Sequence, residues 1–264
     1  MGGSDNRARK VSALLPRGRA LWVPIDHGVS SWPVEGLEDT EVLLSILKEN
    51  GCDAVIAHKG IISDSSHDSS PPFLMHLSAS TVHGGKHASD KVLVASAEEA
   101  VSRGAIGVSV QVNLGDKFEY RMLERLGKVA EECHRLQIPL LGMIYPRGSG
   151  LQIEGDSTKG AAHAARLAWE LGCDAVKTSW PGSKEAFAEV VNAAPIPVLI
   201  AGGESSGNFS EILEIVAEAL SVGGAGVCMG RQIFANADPS ACVKALYELI
   251  HEGVSFEEAQ KNIL

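Results

Sequence analysis

The chain has 264 residues, 45% of them apolar and 21% charged, so it is long enough to bury a sizeable core in one large domain or two small ones. Its 23 basic and 33 acidic residues give a formal net charge of -10, which argues against a surface built to bind nucleic acid. A small anionic ligand remains compatible with this charge, because a few local donors are enough to hold it.

Cysteine spacing and hydropathy indicate a reducing, aqueous environment. The five cysteines are widely spaced and form no CxxC pair, which is typical of buried reduced thiols rather than of disulfides or a zinc ribbon. No apolar run approaches the roughly 18 residues of a membrane span, and Met1 to Lys10 is too polar for a signal peptide. We therefore expect a soluble, cytoplasmic protein.

A polar stretch opens the chain, and beyond it short apolar runs alternate with stretches of helical periodicity. The apolar runs predict eight β-strands, near Leu21–Asp26, Ala54–His58, Phe73–Leu77, Gly107–Val112, Pro139–Tyr145, Ala175–Thr178, Pro197–Ala201 and Ala225–Met229. The periodic stretches predict seven helices, near Thr40–Asn50, Ala97–Arg103, Lys117–Leu136, Lys159–Leu171, Lys184–Ala194, Ser210–Val222 and Pro239–Glu252. Gly51, Gly172 and Gly223 end three of these helices and are predicted to adopt left-handed cap conformations.

Eight strands that alternate with helices predict an α/β fold, a single-domain (β/α)8 TIM barrel. We assign residues 1–19 to an N-terminal arm and residues 20–264 to the barrel, because no Pro-rich linker divides the latter. An open, doubly wound sheet is the alternative. It is disfavoured because the first strand leads into Pro24-Ile25-Asp26-His27-Gly28 rather than into a G-x-G-x-x-G loop.

Polar residues at strand ends are the candidates for chemistry, because a barrel of this kind carries its active site there. Lys177 interrupts the sixth predicted strand, where a buried charge is costly without a role. Desolvation would lower its pKa and make the amine a nucleophile for a Schiff base, whereas a lysine that snorkels to solvent or pairs with a carboxylate is the structural alternative. Tyr145 and Asp26, at the ends of strands five and one, are candidate acid–base groups. A rim hydrogen bond for Tyr145 and a cap for Asp26 remain open.

Glycines follow the last two predicted strands. Gly202-Gly203 and Gly230-Arg231 suit a phosphate site, since glycine lets backbone N–H groups approach an anion. Further candidate substrate-binding residues at strand ends and in these loops are His27, Arg147 and Ser205.

Several histidines invite a metal hypothesis. They lack an i, i+4 helical pair and a compact ligand motif, so ordinary loop histidines are the favoured interpretation for His58, His67, His76, His83 and His87. We therefore predict no metal and no organic cofactor.

The candidate residues stand within motifs that resemble a known family. The motifs are Trp22-Val23-Pro24-Ile25-Asp26-His27-Gly28-Val29-Ser30, His58-Lys59-Gly60-Ile61, Ile144-Tyr145-Pro146-Arg147-Gly148, Ala162-His163-Ala164-Ala165-Arg166-Leu167, Asp174-Ala175-Val176-Lys177-Thr178-Ser179, Ala201-Gly202-Gly203 and Met229-Gly230-Arg231. In this order they resemble the archaeal-type class I fructose-bisphosphate aldolases and, more closely, the 2-amino-3,7-dideoxy-D-threo-hept-6-ulosonate synthase branch. Met143, where the aldolases carry a bulky aromatic residue, favours the synthase side.

The resemblance implies a role for each matching residue. Lys177 would form the imine with a phosphorylated ketose or dihydroxyacetone phosphate, Tyr145 would be the acid–base group, and Asp26 would assist proton transfer. The implied phosphate-binding residues are Gly202, Gly203, Gly230 and Arg231. Such relatives form homo-oligomers, often decamers.

One loop departs from the family pattern. Glu204-Ser205 stands where the synthase branch tends to have Pro-Lys, which removes a cation and adds a carboxylate beside the expected phosphate. We expect Glu204 to point to solvent and Ser205 to contact the anion.

The function that this resemblance implies is carbon–carbon lyase or transferase chemistry. The enzyme would condense a donor derived from a ketose phosphate, either deoxy-ketofructose phosphate or dihydroxyacetone phosphate, with an aldehyde such as aspartate semialdehyde, in aromatic amino acid or aminohydroxybenzoate-type biosynthesis. The alternatives are fructose-bisphosphate cleavage, thiolysis of a phosphorylated diketone, and a catalytically silent barrel that binds a phosphosugar.

Overall fold

Eight parallel strands form the centre of the molecule. The computed structural model describes residues 3–152, 157–202 and 208–263. The strands are β1 (Ala20–Pro24), β2 (Ala54–Ala57), β3 (Phe73–His76), β4 (Gly107–Leu114), β5 (Leu140–Pro146), β6 (Ala175–Thr178), β7 (Val198–Ala201) and β8 (Gly226–Cys228). They pair in chain order and close on each other, with β8 beside β1, so the predicted (β/α)8 barrel is confirmed.

Helices surround the strands, and all seven predicted helices are found with their ends shifted by at most a few residues. The α-helices are α1 (Gly3–Leu14), α2 (Thr40–Glu49), α3 (Lys59–Asp64), α4 (Ala97–Ser102), α5 (Glu119–Leu136), α6 (Ser157–Glu170), α7 (Lys184–Asn192), α8 (Phe209–Ser221), α9 (Arg231–Phe234), α10 (Pro239–Tyr247) and α11 (Phe256–Ala259). The last predicted helix changes at Glu248 into one turn of π-helix, Glu248–Glu252. Between β3 and β4, the loop forms a small antiparallel ribbon from Ser78–Ala79 and Val92–Leu93.

The N-terminal arm contains a helix, α1, that the sequence did not predict. Its first turns are polar, and its apolar residues lie at the end, where Leu14 and Leu15 join the cluster inside the barrel. The Trp22 indole donates a hydrogen bond to the Leu14 carbonyl at 2.8 Å, and Arg7 forms a 2.7 Å ion pair with Asp174. Tertiary contacts therefore stabilise a helix whose own periodicity is weak. The division of the chain into arm and barrel stays a prediction.

The pleat of each strand divides its side chains between two cores. In β6, Ala175 belongs to the cluster inside the barrel, whereas Val176 packs with the surrounding helices. In β5, Met143 and Tyr145 lie inside and Ile144 lies outside. Because alternate residues point inward, the last inner residue of each strand is delivered to the carboxyl-terminal mouth of the barrel.

Two predictions about local structure and chemistry are confirmed. The glycine caps at Gly51, Gly172 and Gly223 have φ values of 85°, 86° and 95°, which a side chain would disfavour. All five cysteines lie within the described ranges as buried, free thiols. Among the helices described, none has both the length and the apolar character needed to cross a membrane.

Candidate active site

A cavity of about 530 Å³ opens at the carboxyl ends of the strands. Eight of the ten predicted site residues line it: Asp26, His27, Tyr145, Arg147, Lys177, Gly202, Gly230 and Arg231. The other lining residues are Ser30, Lys91, Gln111, Met143, Ala201 and Met229. Gly203 and Ser205, like Glu204 between them, lie outside the described residues.

Lys177 enters the cavity from β6 with 8% of its surface exposed. It continues the inner row that Ala175 begins, so the pleat of the strand directs the amine inward. Three groups from other strands surround this amine: Tyr145 of β5, Cys228 of β8, and Asp26, which follows β1. The structure therefore places the lysine inside the barrel rather than in solvent.

The charge state of Lys177 differs from the sequence expectation. Burial alone would lower the pKa of its amine, but the acidic groups of Cys228, Tyr145 and Asp26 outweigh burial and raise the pKa above its usual range. The expectation of an amine neutralised by desolvation was wrong, because it considered burial without the neighbours that the barrel closure supplies. Because its pKa is raised, the Lys177 amine has to lose a proton before it attacks a carbonyl.

Asp26 is the carboxylate beside this cation. Its Oδ1 lies 3.5 Å from His27 Nδ1, and its Oδ2 lies 3.6 Å from His76 Nε2. Burial would raise the pKa of Asp26, but His76, His27 and Lys177 together lower it below its ordinary value. Asp26 is therefore ionised at neutral pH and is able to accept a proton.

His76 has a different place from the one expected for a loop histidine. It ends β3, is 3% exposed, and has its Nδ1 2.8 Å from the Ser109 hydroxyl of β4. Burial lowers the pKa of His76 to about 4, so the imidazole is neutral. If the Ser109 hydroxyl donates to Nδ1, the ring hydrogen is on Nε2 and faces Asp26.

No set of three His, Cys, Asp or Glu side chains in the described chain is arranged to hold a metal ion.

Tyr145 faces the lysine and is 4% exposed. Burial raises the pKa of its phenol, although Lys177 and Arg147 oppose this effect, so the hydroxyl stays protonated at neutral pH. The Arg147 guanidinium lies over the phenol ring, 3.8 Å from its centroid. The arrangement gives the lysine a neutral proton donor on one side and an ionised acceptor, Asp26, on the other.

Gly202 and Gly230 are needed for close packing at the ends of β7 and β8. A Cβ at Gly230 would lie 2.2 Å from the Pro24 carbonyl oxygen, and one at Gly202 would lie 2.7 Å from Met229 Cβ. The absence of side chains there brings the ends of β7, β8 and β1 together beside the cavity. Glycine at these two positions is therefore required for strand packing, in addition to the approach of an anion that the sequence predicts.

Lys91, a charged residue of the cavity, was not among the predicted site residues. Lys91 lies in the β3–β4 loop, where the sequence carries no periodic signal. Gln111 enters the cavity from β4, where Ser109, Gln111 and Asn113 alternate with three valines, the pattern of a strand whose inner face is polar.

The fold and this cavity together define a class of protein. A lysine buried at the mouth of a (β/α)8 barrel, between a phenol and a carboxylate, is the arrangement of an enzyme that forms a Schiff base with a carbonyl substrate.

Comparison with known proteins agrees with this class. The family model described as DeoC/LacD family aldolase matches residues 20–236. A 2-amino-4,5-dihydroxy-6-oxo-7-(phosphonooxy)heptanoate synthase from Streptomyces griseus is 40% identical over 88% of this chain and 85% of that protein. A 2-amino-3,7-dideoxy-D-threo-hept-6-ulosonate synthase from Archaeoglobus fulgidus is 37% identical over 97% and 95%, respectively.

A solved structure is also similar. It is an archaeal fructose-1,6-bisphosphate aldolase with its catalytic Lys covalently bound to the carbinolamine intermediate of the substrate. It shares 30% identity and a TM-score of 0.84 over 92% of this chain and 99% of that one. The chain belongs to the DeoC/LacD aldolase family, and the protein is a class I, Schiff-base enzyme that forms or cleaves a carbon–carbon bond.

Proposed function

We propose that the enzyme condenses a phosphorylated ketose or triose donor with aspartate semialdehyde, through an imine on Lys177, in aromatic amino acid or aminohydroxybenzoate-type biosynthesis. The observation that carries this proposal is that Lys177, Tyr145 and Asp26 line one cavity together with Gly202 and Gly230 at the ends of two strands.

The product chemistry of the relatives indicates the substrates. The product named for the Streptomyces relative has a hydroxyl at C4, a hydroxyl at C5, a ketone at C6 and a phosphate on C7. An aldol disconnection between C4 and C5 gives dihydroxyacetone phosphate and a four-carbon 2-amino acid aldehyde. The product named for the Archaeoglobus relative has the same 2-amino acid end but no oxygen on C7, which requires a different, deoxygenated donor. Both support the same acceptor for this enzyme.

The first half of the reaction makes the nucleophile. The Lys177 ammonium loses a proton to solvent, with Asp26 assisting the transfer, and the free amine attacks the donor ketone to form a carbinolamine. The Tyr145 phenol protonates the carbinolamine hydroxyl, which leaves as water and gives an iminium ion. The Tyr145 phenolate left by this step takes a proton from the adjacent hydroxymethylene carbon, which yields an enamine and restores the phenol. A ketose donor reaches the enamine when the phenolate takes the proton of its hydroxyl group and its carbon–carbon bond breaks, which releases an aldehyde.

The second half forms the product bond. The enamine carbon attacks the aldehyde carbon of the acceptor, and Tyr145 protonates the alkoxide that develops there. Water then hydrolyses the iminium ion, which releases the product ketone and restores the Lys177 amine. The donor phosphate lies against Gly202, Gly230 and Arg231, as the resemblance implies, within the same cavity.

A trapping experiment tests the proposal. The protein is incubated with dihydroxyacetone phosphate, reduced with borohydride and digested; the expected result is one added three-carbon phosphate adduct on Lys177. Aspartate semialdehyde is then added to unreduced samples with dihydroxyacetone phosphate or deoxy-ketofructose phosphate, and a seven-carbon amino acid product is expected in the mass spectrum with one of these donors.

Three results would contradict the proposal. Adducts on Lys59 or Lys184 would reject Lys177 as the nucleophile, no adduct with either donor would indicate a silent binding barrel, and rapid cleavage of fructose bisphosphate without any seven-carbon product would favour the bisphosphate aldolase. The homo-oligomeric state and the cytoplasmic location stay predictions.

A further inference from the structure

We infer that the β3–β5 side of the cavity binds the α-amino acid end of the acceptor aldehyde, with Lys91 and Arg147 contacting its carboxylate and Gln111 its ammonium group. The inference rests on the proposed function, because it assumes that an aldehyde acceptor enters this cavity. The acceptor is then an α-amino acid aldehyde, and the β3–β5 side of the cavity is its binding site.

Two cations face this part of the cavity. The Lys91 amine donates a hydrogen bond to the Ser80 hydroxyl at 2.7 Å, and the Arg147 guanidinium carbon lies 3.8 Å from the centroid of the Tyr145 ring. In the residues that the structure describes, no carboxylate lies within ion-pair distance of either cation. Burial lowers the pKa of Lys91; Asp26 opposes this effect and Arg147 adds to it. Two neighbouring positive charges, neither of which forms an ion pair with a described carboxylate, favour the binding of an anion.

Hydrogen bonds through the neighbouring Asn113 side chain fix the orientation of the Gln111 amide. The Ser89 carbonyl oxygen only accepts hydrogen bonds, so Asn113 presents its Nδ2 to it, at 3.1 Å. Asn113 Oδ1 consequently accepts from Gln111 Nε2 at 2.9 Å. Gln111 Oε1 is then left as an acceptor, and within the described ranges no donor is bonded to it. An amide oxygen beside two cations is a site for the ammonium group of an amino acid whose carboxylate binds the cations.

The barrel places this wall opposite the expected phosphate site. In the closed order of strands, β4 lies across the barrel from β8, and β3 lies across from β7. The donor phosphate at Gly202 and Gly230 and the acceptor carboxylate at Lys91 are therefore held at opposite sides, with Lys177 of β6 at the wall between them. Two anionic ends separated in this way direct the two reacting carbons toward the same amine.

Three four-carbon aldehydes test the carboxylate contact and the ammonium contact separately. Aspartate semialdehyde has both charged groups, succinate semialdehyde lacks only the amino group, and butanal lacks both. For Lys91→Met, we expect the kcat/KM of each carboxylate aldehyde relative to butanal to fall by roughly tenfold to a hundredfold. For Gln111→Leu, we expect the preference for aspartate semialdehyde over succinate semialdehyde to fall by roughly tenfold.

Matched variants control for fold and for general charge effects. Lys86→Met removes an exposed lysine from the same loop and is expected to leave all three ratios unchanged. Lys91→Arg keeps the positive charge and is expected to retain most of the preference for carboxylates. Trapping of dihydroxyacetone phosphate on Lys177 reports in each variant whether the donor half of the site is intact.

The outcomes distinguish this inference from the proposed function. If wild-type protein traps no donor on Lys177, the proposed function fails and the inference fails with it. If the variants trap donor normally but Lys91→Met keeps the wild-type preference for carboxylates, or Lys86→Met loses it equally, the inference alone is wrong. A Gln111→Leu variant with unchanged preference for the amino group would reject the ammonium contact.

Discussion

The two ends of the barrel interior are built from the same inner strand positions, but they have opposite chemistry. At the amino-terminal end, which we call the sealed end, Trp22 of β1 packs with Leu14 and Leu15 of the preceding segment in a buried, apolar cluster. At the carboxyl-terminal end, the inner positions carry ionisable groups such as Lys177 and Asp26, which face an open cavity. In β6 the change from apolar to charged takes only two residues, from Ala175 to Lys177.

Residues that stabilise the fold and residues that carry the catalysis therefore lie at opposite ends of the barrel interior. The apolar end gains free energy from burial and tolerates no unpaired polar group, whereas the polar end keeps charges that stabilise each other only as a set. Substitutions at the polar end should change turnover and pH dependence, and substitutions at the sealed end should change the free energy of unfolding. Predictions at both ends test whether the separation is as complete as the geometry indicates.

The largest effect is expected at the nucleophile. Lys177→Met keeps the length of the side chain but has no amine, so turnover should fall below detection and no donor should be trapped, since no imine can form. Steady-state assays and borohydride trapping measure both. Lys184→Met, at an exposed position, is the control and should behave as wild type. Residual imine formation in Lys177→Met would mean that another amine is the nucleophile.

Tyr145→Phe should lower kcat by roughly 10²-fold or more, because it removes the proton donor for dehydration and for the developing alkoxide. Donor binding and thermal stability should change little, since the ring and its contact with Arg147 remain. Stopped-flow measurement of each half-reaction locates the loss. Tyr120 is exposed, so Tyr120→Phe is the control. Equal turnover in the two variants would show that Tyr145 has only a structural role.

Asp26→Asn should move the pH profile as well as lower the rate. The carboxylate is one of the groups that raise the pKa of Lys177, so its removal lowers that pKa and increases the fraction of free amine at any given pH. The rise of imine formation with pH should therefore shift to lower pH, while kcat falls by roughly 10²-fold because the base is lost. Trapping rates across the neutral and alkaline range measure the shift; a shift to higher pH would contradict the assigned interaction.

His76→Phe should have a smaller effect, confined to the acid side of the profile. Without this imidazole the pKa of Asp26 rises, although His27, His58 and Lys177 still lower it. A larger fraction of Asp26 is then protonated as the pH falls, so activity should be lost at higher pH than in wild type. At neutral pH the loss should be less than about tenfold, as expected for one polar neighbour 3.6 Å from the carboxylate. An unshifted acid limb would show that His76 only fills space.

The smallest effect on activity is expected at the sealed end. Trp22→Phe removes the indole hydrogen bond to the Leu14 carbonyl and some buried volume, which should lower the free energy of unfolding by about 1–3 kcal/mol. Turnover of the folded enzyme should be unchanged. Urea unfolding and kcat are measured on the same sample, and a large loss of kcat without a loss of stability would show that the two ends are coupled.

Local patterns in the sequence determined most of the fold. These patterns are the alternation of strands and helices, the glycine caps and the motif residues. Each depends on neighbours within a few positions, so each can be predicted without the tertiary structure. The eight predicted site residues that the structure describes meet in one cavity for the same reason, since parallel strands bring their carboxyl ends to one mouth. Helix α1 escaped prediction because its stability depends on contacts with distant strands.

Only the tertiary structure decided the electrostatics of the site. The pKa of Lys177 is raised rather than lowered because Cys228, Tyr145 and Asp26 approach its amine from other parts of the barrel, and no sequence pattern measures those separations. Lys91 joins the cavity from a loop for the same reason. The sequence by itself determined which chemical groups stand at the strand ends, whereas closure of the barrel set their distances, and charge interactions in a buried site depend on distance.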